Sequence, residues 1–193
     1  MRLFATFRDD RTLLRRSAAF ADALMAEPAD EEVAWLSQKA TRGDIDHARW
    51  ELRYLRRALG ILVAQRDALD DRTPSAVLRA LMDRMDRDRN VDAELRDLAE
   101  RQFNARLSAY RDAFTSRGHG SPAMRVAQNM LAFAGGPIRS GDPVVVHGTS
   151  VVEAMLERAN AQLRLTFGEP ALPEDVRPSE AARKDHGKAR AER

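Results

Sequence analysis

Three polar residues close together, Asp44, His47 and Glu51, are the part of this sequence best equipped for chemistry. His47 and Glu51 are four apart, so on a helix they share a face, one turn from each other. A carboxylate placed there can orient an imidazole through one ring nitrogen and leave the other for a proton or a metal. With Asp44 just before them, the set has the donor types of a divalent-metal or acid–base site facing a helical core. Another helix or loop would have to complete it, and His119 and His147 are the histidines available.

The same residues have a structural reading, which the rest of the sequence favours. A di-metal carboxylate bundle uses Glu-x-x-His pairs from two helices, and a zinc protease uses His-Glu-x-x-His; neither pattern occurs. Paired with each other or with an arginine from a neighbouring helix, His47 and Glu51 need no ligand to justify burial. Asp44 stands where a helix cap belongs.

A second group, Arg49, Arg53, Arg56 and Arg57, falls on the side of the same helix opposite its apolar residues. Four like charges on one face repel unless compensated, so the row reads as an anion or nucleic-acid binding surface unless acids such as Asp83, Asp86 and Asp88 neutralise it internally. The sequence disfavours nucleic acid. Lys and Arg (32) nearly cancel Asp and Glu (30), and aromatic interleaving is missing.

The elements that must carry these groups are helices. Ala, Leu, Arg and acidic residues dominate, and strand formers are sparse. Pro28, Gly43, Thr73-Pro74, Asp92, Gly118, Ser121-Pro122 and Gly135-Gly136-Pro137 punctuate the chain. They predict an all-α fold, a single bundle of about five to seven helices. The first helix runs from about Asp10 to Glu27, and Asp92 caps the fifth. A long third helix from Asp44 to about Asp71 carries a wide apolar arc, so it is expected at the centre with Leu52, Leu55, Leu59 and Leu62 deepest.

Residues 1–168 are expected to form the bundle, with a loop-rich connection over 135–150 and a last helix over 150–167. Pro143-Val144-Val145-Val146 is the one strand-like run, and without a partner strand it reads as a packed loop. Residues 169–193, rich in proline and basic groups, read as a flexible tail.

No cysteine is present, which excludes disulfides and thiolate chemistry. Neither a membrane-length apolar run nor a signal-peptide core appears, so a cytoplasmic location is expected. Walker and dinucleotide-binding loops are absent, leaving a divalent metal as the only cofactor indicated. The expected function is therefore a protein–protein interaction or assembly subunit, acting with a protein partner or as a homo-oligomer. A metal-dependent bundle enzyme using His47 and Glu51 is the alternative, and an anion binder using the arginine row comes third.

Overall fold

A computed structural model describes residues 2–68 and 71–169, with side chains from residue 10 onward. Among them are seven α-helices: α1 (Arg2–Leu24), α2 (Asp30–Lys39), α3 (Ile45–Asp67), α4 (Arg72–Asp86), α5 (Arg96–Thr115), α6 (Pro122–Ala134) and α7 (Pro143–Phe167). A 3-10 turn, Ala93–Leu95, precedes α5, and no strand occurs among the described residues. The chain is an all-α bundle. Residues 170–193, nearly all of the expected flexible tail, lie outside the described residues.

Helix starts follow their capping chemistry. The Asp44 carboxylate accepts from the His47 backbone N–H at 2.9 Å and opens α3. Ser121 accepts from Met124 N–H at 3.1 Å, Asp142 accepts from Val144 N–H at 2.8 Å, and each is followed by proline in the first turn. At the end of α6, Gly135 takes φ of +81°, the left-handed conformation that glycine adopts without a Cβ penalty.

Three expectations are corrected here. The last helix starts at Pro143, not at residue 150, and Val144–Val146 form its first turn. Asp142-Pro143 is the same start signal as Ser121-Pro122, and a helix satisfies backbone groups that a lone strand would leave unpaired. The first helix begins at Arg2 and ends at Leu24, since neither glycine nor proline interrupts it before Pro28. Its exit is held by Arg56, which donates to the carbonyls of Ala26 (2.7 Å) and Glu27 (2.9 Å). Asp92 makes no side-chain cap; the chain enters α5 through the 3-10 turn, with Leu95 N–H donating to the Asp92 carbonyl at 2.9 Å.

The third helix is central, touching each of the other six α-helices. Leu52, Leu55 and Leu59 are fully buried and Leu62 is 9% exposed. Around them pack Phe20, Leu36, Leu81, Phe103, Met130 and Leu131. Gly60 lets α1 approach α3 closely, because a Cβ there would lie 2.9 Å from Leu24 Cγ. Helices α5 and α6 run antiparallel: Ala109 pairs with Asn129 (3.2 Å) and Ala113 with Arg125 (2.9 Å). No described helix is long and apolar enough to cross a membrane.

Candidate functional site

Glu51 sits in the core, only 1% exposed, where an isolated carboxylate would be very costly. Arg106 of α5 meets it from across the bundle. Its Nε donates to Glu51 Oε2 at 2.8 Å, and a terminal nitrogen donates to Oε1. This is the bidentate fork in which arginine binds carboxylate best. The remaining Arg106 nitrogen donates to the Gln102 carbonyl at 3.1 Å. Rings cover the guanidinium, with its carbon 4.5 Å from the Phe133 centroid and 5.0 Å from that of Tyr54.

His47 is half-exposed and places Nε2 3.3 Å from Glu51 Oε1. The sequence-predicted pair therefore does meet, but Glu51 gives both oxygens to Arg106. Asp44 caps the helix backbone. His147 packs against Trp35, with ring centroids 4.6 Å apart and planes tilted by 47°, and His119 lies exposed between α5 and α6. Neither closes on His47. Among the described residues no group of three His, Asp or Glu side chains could hold a metal ion.

Burial shifts the groups around this pair. The Tyr110 phenol is fully buried without a hydrogen-bond partner, and burial pushes its pKa far above the ordinary value, with the Glu51 charge adding to the shift. Tyr54 is raised by burial as well, against the nearby positive charge of Arg106; its O–H donates to Gln102 Oε1 at 3.1 Å. Burial alone would lower the Arg106 pKa, but the hydrogen bond and charge of Glu51 outweigh it and the net shift is upward.

The arginine row does not form the polar face expected of it. Arg53 and Arg57 are buried, at 7% and 2% exposure. Arg53 makes two hydrogen bonds to Glu27, 2.7 and 3.1 Å, with its guanidinium over Trp50 at 4.5 Å. Arg57 pairs with buried Asp88 at 3.0 Å, and burial lowers its pKa against the pull of that carboxylate. Arg56 holds the end of α1. Arg49 is partly buried, with its Nε unpartnered. The correction has a simple cause: a helix touched by six others has no free side, and long arginine stems pack like apolar chains when acids meet their heads.

Sequence reasoning missed Arg106, although a signal was present. It falls in register with Phe103, Leu107 and Tyr110 on the buried face of α5, a charge inside an apolar stripe. Asp88 was named as a neutralising acid and is one; Asp83 and Asp86 are not.

Those two acids instead edge a groove of about 280 Å³ between the end of α4 and the start of α5. Met82, Met85, Val91 and Ala99 supply its apolar surface. Asp83, Asp86, Asp97 and Glu100 stand around it against a single Arg96, all five exposed. None of these five forms an ion pair or side-chain hydrogen bond among the described residues. At the start of α5, Leu95 of the 3-10 turn and Leu98 of the first helical turn are 50% and 42% exposed. By contrast, His47, Glu51 and Arg106 line neither this groove nor the three other described cavities. Comparison with protein-family models, with curated proteins and with solved structures finds no match to this chain.

Proposed function

We propose that this chain is a non-catalytic interaction module whose α4–α5 groove takes a basic amphipathic helix of a protein partner. The observation behind this reading is the acidic excess of the groove's lining. Four carboxylates and one guanidinium surround a methionine-lined groove, and none of the five forms an ion pair among the described residues. Methionine is flexible and polarisable, so such a surface accepts varied apolar side chains. A helix presenting leucines at helical spacing would fill the groove, and its lysines would meet the acidic rim, which favours encounter and orientation.

Less supports the metal reading, because Arg106 occupies both Glu51 oxygens. The anion reading loses Arg53, Arg56 and Arg57 to internal partners.

Fluorescence anisotropy with a labelled Lys/Leu amphipathic peptide of about five helical turns tests the proposal. Binding should weaken with salt and fall about tenfold or more in the doubly charge-reversed variant Asp97→Lys/Glu100→Lys. Both positions are exposed, so the fold should survive the change. Equal binding of a Glu/Leu peptide with the same apolar pattern, or indifference to the charge reversal, would refute it.

A further inference from the structure

A second cleft, of about 350 Å³, opens where α3, α5 and α7 meet, and its charge is opposite to that of the α4–α5 groove. Leu62 and Val63 of α3, Phe114 of α5 and Leu156 of α7 form its apolar walls. Arg66 and Arg111 also line it, both exposed, and no carboxylate does. Arg66 is tied to its neighbour Asp67 by two hydrogen bonds of 2.7 Å. The Arg111 guanidinium makes no hydrogen bond or ion pair among the described residues. An apolar recess with an unengaged guanidinium beside it matches a ligand with an apolar body and one anionic end.

We propose that this cleft binds a medium-chain carboxylate, its hydrocarbon against Leu62, Phe114 and Leu156 and its carboxylate on Arg111. A planar guanidinium donates two parallel N–H bonds to a carboxylate, a geometry that singles out this anion among small apolar molecules. At about 350 Å³ the cleft has room for a hydrocarbon chain of medium length. It also lies at the lower end of the usual range for ligand pockets, about 300–1,000 Å³. Burying that chain supplies the driving force, and the charge-assisted bonds supply the discrimination.

The test is calorimetric titration of the full chain with decanoate, compared with decan-1-ol and with acetate, beside thermal unfolding in decanoate. Decanoate should bind and raise the unfolding temperature with concentration, whereas acetate should do neither. Decan-1-ol should bind about tenfold more weakly or worse, lacking the charge. Arg111→Gln should reduce decanoate affinity by about tenfold or more while leaving that of decan-1-ol unchanged, and Leu156→Trp should fill the cleft and remove both. Since Leu156 is half-buried, circular dichroism confirms that this variant folds. Failure of decanoate to bind would overturn the proposal, as would unchanged affinity in Arg111→Gln or retained binding in folded Leu156→Trp.

Discussion

Replacing Glu51 and Arg106, singly and together, measures what the buried pair does for the fold. Both side chains are nearly out of water, 1% and 11% exposed, so solvent screens them little. Arg106 directs two N–H bonds at the carboxylate and a third at the Gln102 carbonyl. Glu51→Leu leaves the guanidinium between the Phe133 and Tyr54 rings without its anion. Arg106→Met leaves the carboxylate with only His47 beside it. Each single change should cost about 3–5 kcal/mol, the penalty for stranding a buried charge. The double variant Glu51→Leu/Arg106→Met strands neither charge, and methionine suits a slot between aromatic rings. It should therefore lie within about 2 kcal/mol of the wild type, giving a coupling energy of several kcal/mol. Urea denaturation with the slope checked for constancy reads all four stabilities. Single costs below about 1 kcal/mol that simply add would refute the reasoning, because that is how a solvated surface pair behaves.

Other consequences follow from local geometry. Tyr54 and Tyr110 are the only tyrosines, and burial raises both pKa values in the folded chain above the unfolded value near 10. Their contribution to stability is thus complete below about pH 10 and lost as pH rises beyond it. Tyrosinate absorbance should appear at higher pH in the folded chain than in the unfolded one; ionisation of either tyrosine near pH 10 in the folded state would contradict this. Gly60→Ala gains about 0.5–1 kcal/mol of helix propensity but drives a methyl into buried Leu24, and overpacking costs about 1–3 kcal/mol, so thermal melts should show a net loss. Asp142→Ala removes the cap of α7 and should cost about 0.5–2 kcal/mol in the same assay, whereas Asp92→Ala, at a position with no side-chain cap, should cost less.

Much of the fold was legible because its signals are local. The Asp44 and Ser121 caps and the Gly135 terminator act within a turn, and the breadth of the apolar arc on α3 anticipated a central helix packed on more than one side, though not the burial of Arg53 and Arg57 opposite that arc. The start of α7 was misread although Asp142-Pro143 carried the same signal as Ser121-Pro122, because the valines after it outweighed the cap. Less of the candidate sites was legible. The pairing of His47 with Glu51 follows from helical spacing alone, but the partners that determine its character, Arg106 for Glu51 and Asp88 for Arg57, lie 55 and 31 residues away in sequence. The α4–α5 groove and the cleft beside Arg111 each need residues from separate helices, and no single-helix pattern reveals them.

The interaction reading is tested most directly by NMR of the amide-labelled chain, titrated with the unlabelled Lys/Leu peptide. Amide shifts are predicted to concentrate over residues 82–100, where the groove-lining residues and the exposed Leu95 and Leu98 lie, and to fade as salt is raised. Amides around His47 and Glu51 should stay in place. Shifts centred elsewhere, or none at saturating peptide, would contradict the assignment of the groove as the docking surface.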